Sequence, residues 1–359
     1  MSAPDIVLEG RDLVKYFPAG STRWLSRPTG TVQAVDGVSF ALRRGTTLGI
    51  VGESGCGKST LARVITRLLD PSSGSLFLEG QDVTKLRGSE LREFRRKVQI
   101  IFQDPYSSLN PRHSVGQIIS LPMKVQKMVS PQGEKARVQE LMELVGLNPE
   151  HYNRYPHEFS GGQRQRIGIA RALSLNPEII VADEPVSALD VSIQAQILNL
   201  MQRLQRELNL SYVFIAHDLS VVRRISDDLG VMYLGKLVES GPADALYSDP
   251  RHPYTKTLLS AVPIANPVRA RQHQRIILSG EVPSPINPPS GCRFRTRCWK
   301  AEDRCATEEP QLNPSEVEGL GDGRRVACHF PEWLESDEQT RISKIGAAKP
   351  IGDRSIGSR

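Results

Sequence analysis

The stretch Gly52-Glu53-Ser54-Gly55-Cys56-Gly57-Lys58-Ser59-Thr60 carries the clearest chemistry in the chain. It matches G-x-x-x-x-G-K-[ST], with the apolar run 48–51 before it and a helix-forming stretch, 61–69, after it. Glycines at these positions let backbone N–H groups turn inward around phosphate oxygens without a side chain in the way. The following helix adds its positive N-terminal end. Lys58 is placed to reach the β- and γ-phosphates and the Ser59 hydroxyl to ligate Mg²⁺. Residues and context together point to a nucleoside triphosphate.

A second chemical group follows later in the chain. Glu178-Ile179-Ile180-Val181-Ala182-Asp183-Glu184-Pro185 reads as a buried strand ending in two adjacent carboxylates. Two acids side by side repel each other unless a metal or substrate uses them. Asp183 suits Mg²⁺, directly or through water, and Glu184 suits accepting a proton from an attacking water. Gln103 and His217 also fall at the ends of apolar strand-like runs, 98–102 and 212–216. In α/β sheets the carboxyl ends of the strands face the ligand. Taken alone, Gln103 reads equally well as a surface residue. Ser160-Gly161-Gly162-Gln163 precedes a helical segment, 167–175, and is a second anion-ready helix start, although a plain helix cap has the same signature.

Cysteine usage supplies a third candidate. Cys56 sits alone in the glycine-rich loop, whereas Cys292, Cys298, Cys305 and Cys328 are separated by five, six and twenty-two residues. Four thiolates can hold Zn²⁺ or an iron–sulfur cluster, or remain unliganded as small buried hydrophobes. Zinc sites usually show close C-x₂₋₄-C pairs, which are lacking here, so the wide spacing favours a [4Fe-4S] cluster. His329, beside Cys328, is a less favoured ligand. Arg293, Arg295 and Arg297 would offset an anionic cluster or simply form a solvated face.

Composition frames these groups. The 359 residues are 39% hydrophobic, enough for a full core and an appended unit. A net charge of +6 permits contact with anionic partners without demanding it. No apolar run approaches the ~18 residues of a membrane span, and the acidic, weakly apolar first eleven residues do not read as a signal peptide. The expected compartment is the cytoplasm, where a disulfide framework is disfavoured.

The positioning elements read as an α/β chain. Strands are expected over 6–17, 35–42, 75–78 and 98–102, and a closing hairpin over 229–240. Residues 18–30 read as a loop. Tyr16 and Phe17 stand before it, and either could stack on a base. From 114 to 146 the pattern turns helical, with Pro122 interrupting the first run. Residues 282–292 are proline-rich and read as a surface lead into the cysteines. Beyond Trp333 the polar tail is expected to be disordered.

In this order, the glycine-rich loop, Gln103, Ser160-Gly161-Gly162-Gln163, Asp183-Glu184, the 187–190 turn and His217 resemble the Walker A, Q-loop, signature, Walker B, D-loop and H-loop elements of an ABC-type ATPase. The resemblance covers about 6–246 and implies a P-loop fold with a RecA-like core, an antiparallel β subdomain and a helical subdomain. It selects Phe17 for the adenine, because a Phe-Pro or Tyr-Pro pair is usual there. Catalytic roles fall to Glu184, His217 and Gln103. ATP contacts fall to Phe17, Gly52, Ser54, Gly55, Cys56, Gly57, Lys58, Ser59, Thr60, Gln103, Asp183 and residues 160–163, and Mg²⁺ to Ser59, Gln103 and Asp183. It further implies that two such domains pair head to tail, so that Ser160 and Gly162 meet ATP held by the other subunit.

Residues 249–259 resemble the segment that marks ATPase subunits of oligopeptide/dipeptide importers, some of which carry a cluster on a similar cysteine set. The organisation expected is an ATPase domain over 1–246 with a helical insertion at about 104–170, an extension over 247–334 with the four-cysteine site, and a tail over 335–359. The implied function is ATP-driven import of di- or oligopeptides from the cytoplasmic face of the membrane. The implied partners are a second ATPase subunit (a different chain, as is common in this subfamily), two membrane-spanning permease subunits and an extracytoplasmic solute-binding protein, with no nucleic acid. A soluble ABC ATPase acting on nucleic acid and an exporter subunit are the alternatives; mild charge and the lack of an aromatic–basic stripe weigh against the first, the C-terminal extension against the second.

Overall fold

The structure is a computed structural model that describes residues 5–19, 30–104, 106, 108–128, 131–262, 276–278, 280–312 and 323–331. The expected loop at 18–30 lies largely outside them, as does the tail after Trp333.

Two sheets organise the chain. The first is antiparallel, of order β2-β1-β4-β5, built from β1 (Ile6–Ala19), β2 (Gly30–Arg43), β4 (Ser73–Leu78) and β5 (Gln81–Asp82). The second has the order β11-β10-β9-β3-β8-β7-β6. It comprises β3 (Thr47–Val51), β6 (Val98–Ile101), β7 (Ile179–Asp183), β8 (Ser211–Ala216), β9 (Asp228–Tyr233), β10 (Lys236–Pro242) and β11 (Arg325–Val326). Strands β6, β7, β8, β3 and β9 run parallel. Both β3 and β7 are buried along their whole length, because helices cover a parallel sheet on its faces and leave its strands no wet side.

Helix α1 (Lys58–Ile65) leaves the glycine-rich loop and buries Leu61, Ala62, Val64 and Ile65 against the apolar layer shared by the two sheets. Helix α2 (Gly88–Lys97) precedes β6. Between β6 and β7 the chain is helical: α3 (Val115–Val125), α4 (Pro131–Leu144) and α5 (Gly161–Leu173). These helices share one core, in which Val115, Ile119, Val138, Met142 and Ile167 are fully buried. Pro122 lies inside α3 rather than ending it. It removes one backbone donor, yet the Ser114–Gln117 capping box fixes the start and Ile118, Ile119 and Met123 bury the helix's apolar side, which outweighs that cost.

Helices α6 (Val191–Leu208) and α7 (Leu219–Ile225) flank β8, and after the hairpin α8 (Ala243–Ser248) and α9 (Pro253–Ser260) lead to the cysteine-bearing region. That region returns to the core sheet, where β11 pairs antiparallel with β10 through Glu239–Val326 and Ser240–Arg325. The aromatic group Tyr233, Tyr254 and Phe294 joins hairpin, helix and extension, with ring centroids 4.7–5.4 Å apart.

Candidate functional site

The glycine-rich loop links β3 to α1, as its spacing predicts. Gly57 is required where it stands: its φ is 111°, and a Cβ there would lie 1.9 Å from the Ala34 carbonyl oxygen. Lys58 is 4% exposed, and its Nζ donates to the carbonyls of Gly52 (2.7 Å) and Glu53 (3.0 Å). It also lies 4.0 Å from Glu184 Oε1. A buried ammonium needs such oxygens, and its amine points into the concavity that phosphates would fill.

Two carboxylates close the other side. Asp183, the last residue of β7, accepts a hydrogen bond from Ser59 Oγ at 2.9 Å. Burial pushes its carboxyl above the usual carboxylate range; the Ser59 bond opposes that shift and the neighbouring Glu184 adds to it. A divalent cation would relieve this strain, since both groups supply the hard oxygens that Mg²⁺ prefers. Glu184 adopts φ 48°, an uncommon conformation for a glutamate, and is 9% exposed. Its Oε2 accepts from Gln103 Nε2 at 3.0 Å and lies 3.1 Å from His217 Nδ1. Gln103 follows β6 and His217 follows β8, the strands near β7 in the sheet. Three residues widely separated in sequence thus meet on one carboxylate oxygen.

A cleft of about 320 Å³ is lined by Phe17, Lys58, Ser59, Thr60, Gln103 and Glu184, with Ser54, Gly55 and Gly57 at its loop side. Phe17 faces this cleft, whereas the Tyr16 hydroxyl donates to Asp36 at 2.5 Å. Cys56 is buried behind the loop, and burial raises its thiol pKa.

The 160–163 group is not among the residues lining the cleft. Ser160 caps α5: its Oγ accepts from the Gln163 N–H, and its own N–H donates to the Gln163 side chain at 3.0 Å. A Cβ on Gly162 would press on Ile193 at 2.5 Å, whereas Gly161 has ordinary space.

The cysteines converge. Cys292, Cys298, Cys305 and Cys328 line one small cavity of about 10 Å³ with His252, Phe294 and His329. Burial pushes Cys292 up to about 11 and Cys328 up to about 12, and the neighbouring thiols reinforce both shifts. No group of three or more His, Cys, Asp or Glu among the described residues is arranged to hold a metal ion.

The arginine run serves neither of its expected purposes in full. Arg297 donates to both Glu53 oxygens, at 2.8 and 3.2 Å, and Arg293 donates to Asp36 and to Gln33 (2.6 Å). Arg295 donates to the Ser290 carbonyl at 3.0 Å. The charges of Arg293 and Arg297 are committed to carboxylates of the ATPase core, more than two hundred residues away. Pairing over that separation leaves no local signal.

Comparison with known proteins agrees with this geometry. A family profile described as ABC transporter matches residues 35–187, and one described as oligopeptide/dipeptide transporter, C-terminal region, matches residues 238–305. The chain is 53% identical to the oligopeptide transport ATP-binding protein AppF of Bacillus subtilis (strain 168), over 91% of its own length and 98% of the relative's. It is 52% identical to the dipeptide transport ATP-binding protein DppF of Escherichia coli (strain K12), over 93% and 97% of the two chains. The dimeric structure of the ATP-binding cassette MJ0796 in a post-hydrolysis state, bound to ADP and Pi, superposes with a TM-score of 0.59 at 28% identity. That match covers 66% of this chain and 98% of the cassette. The chain belongs to the ABC transporter ATP-binding proteins, in the family whose C-terminal region is of the oligopeptide/dipeptide type. Its fold is that of an ABC ATPase.

No helix among the described residues is long and apolar enough to cross a membrane.

Proposed function

We propose that the chain is the ATP-hydrolysing subunit that energises import of di- or oligopeptides across the cell membrane. The observation that carries the catalytic part is the meeting of Gln103, Glu184 and His217 beside the Ser59–Asp183 pair. The peptide part rests on the family of the C-terminal region and on the names of the relatives.

Each residue then has a defined task. Lys58 and the N–H groups of residues 54–60 bind the β- and γ-phosphates, and Phe17 stacks on the adenine. Ser59, Asp183 and Gln103 hold Mg²⁺, which neutralises phosphate charge when bound. Glu184 takes the proton of the attacking water, held in place by Gln103 and His217. Ser160, Gly161, Gly162 and Gln163, which lie outside this cleft, act on ATP bound by a second ATPase subunit, as the family resemblance implies. Membrane attachment to the cytoplasmic face comes through two permease subunits, and the solute arrives by an extracytoplasmic binding protein. Nothing observed favours nucleic acid.

The test is ATPase activity of the assembled transporter in proteoliposomes. Stimulation by peptide-loaded binding protein is expected; stimulation by other solutes alone, or by DNA or RNA alone, overturns the reading. Phe17→Ala should raise the KM for ATP about tenfold with little change in kcat, since stacking on a base contributes ~1–3 kcal/mol. Steady-state kinetics of the purified complex check this.

The four cysteines support a [4Fe-4S] cluster as the further cofactor. The four thiols line one cavity, and the wide spacing of the cysteines in sequence suits a cube more than one tetrahedral ion. A cube takes thiolates at its wider-spaced corners. It exceeds the 10 Å³ cavity, so its insertion requires the four side chains to rotate outward. The cluster would supply a redox-active cross-link; the four cysteines would hold it as thiolates, their protons released to solvent. Anaerobically purified protein should contain about four irons and four sulfides per chain, and Cys305→Ser should lower both. One zinc without sulfide, or no metal, rejects the cluster.

A further inference from the structure

The second residue of the phosphate loop is an acid, and that requires an explanation. A site built to hold a triphosphate gains nothing from a carboxylate at its edge, because like charges at short range in a partly desolvated cleft repel. Glu53 is nevertheless flanked by Gly52 and Ser54, and its own carbonyl accepts from Lys58 Nζ, the amine that phosphates would attract.

The C-terminal region meets this carboxylate. The Arg297 guanidinium grips both Glu53 oxygens in the two-pronged geometry that arginine and carboxylate share. Arg297 is only 9% exposed and Glu53 27%, so bulk water does little of the screening. The Glu53 N–H donates to the Tyr254 hydroxyl at 2.8 Å. Tyr254 is set by α9, whose first turn is capped by His252: Nδ1 accepts from the Tyr254 N–H at 3.0 Å. Both the side chain and the backbone of Glu53 are therefore held from beyond residue 247.

A second tie runs in parallel. Arg293, four residues before Arg297, donates to the Leu234 carbonyl in the β9–β10 turn. The next N–H of that turn, Gly235, donates to the Cys56 carbonyl at 2.8 Å. Pro285 reaches the cleft itself, lining it alongside Phe17, and its carbonyl accepts from the Gln33 N–H at 3.0 Å.

We infer that the cysteine-bearing loop braces the phosphate loop from behind, with Arg297 as a positioning residue that cancels the charge of Glu53, the neighbour of the cleft-lining Ser54, and thereby sets ATP affinity, whatever solute the complex carries. Removing Arg297 leaves a carboxylate free to oppose the phosphates. Removing the Glu53 charge as well abolishes that opposition.

This sign pattern separates charge cancellation from simple scaffolding. The experiment measures MgATP affinity of the full-length chain by calorimetry, with a Glu184→Gln background to prevent turnover. It also measures KM and kcat of the assembled complex without that background. Arg297→Ala should weaken ATP binding about tenfold, as a rise in KM with kcat held within about threefold. Glu53→Gln should bind within about twofold of the parent. The double variant Glu53→Gln/Arg297→Ala should recover affinity to within about threefold. Arg297→Gln, which keeps side-chain length and polarity without the charge, makes the same comparison where the alanine variant is insoluble. Unchanged affinity in both Arg297 variants overturns the inference. So does a double variant as weak as the arginine single variant, because a scaffold lost is not restored by removing its second half.

Discussion

Glu184→Gln should lower ATP turnover by about 10²–10⁴-fold, the range that a positioned general base supplies, while ATP binding persists. The geometry makes this substitution unusually clean. Glu184 Oε2 accepts from Gln103 Nε2 and lies beside His217 Nδ1, and a glutamine of the same length can present its one carbonyl oxygen to both neighbours, with its amide NH₂ in the place of Oε1. Fold and network are therefore retained while the proton acceptor is lost. The proposed action of residues 160–163 on a second subunit adds a further expected result: the variant should accumulate as an ATP-bound pair with its partner ATPase subunit, visible as a gain in mass by light scattering. Hydrolysis at the parental rate would remove Glu184 from the catalytic role.

Lys58→Ala should weaken MgATP binding by about a hundredfold. The amine is almost fully buried, and in this structure it is satisfied by the carbonyls of Gly52 and Glu53. Phosphate oxygens would compete for that ammonium with full negative charge, and charge-assisted hydrogen bonds contribute ~1.5–3 kcal/mol each. Truncation removes the charge and leaves the loop carbonyls without their donor. Calorimetric titration reads the loss directly. Affinity within about threefold of the parent would mean that the backbone N–H groups carry the phosphates alone.

The proposed catalytic constellation is legible because each member sits where a local pattern changes. Apolar strands end abruptly at Gln103, at Asp183-Glu184 and at His217, and a parallel sheet collects such ends along one edge. Phe17 was separable from Tyr16 only by resemblance; the structure supplies the physical difference, a hydroxyl that Asp36 can accept from. What could not be read was anything depending on distant partners. Arg293 and Arg297 looked like counter-charges for a cluster or a wet surface, yet they pair with Asp36 and Glu53. Pro122 looked like a break, although burial carries α3 through it. Local chemistry announces itself in sequence, whereas pairing across folded layers does not.

The short strand β11 has a consequence for biosynthesis. It covers the β10 side of the central sheet, joined by Glu239–Val326 and Ser240–Arg325 pairing and by the Ala327 N–H donating to the Val238 carbonyl at 2.8 Å. A nascent chain that has emerged only as far as the hairpin therefore presents β10 as an uncovered edge, open to pairing with another chain. The same edge is exposed by a premature stop anywhere before Arg325. A ribosome must finish some eighty-five residues after Ser240 before that edge is sealed, which makes this interval the one in which a chaperone has most to protect.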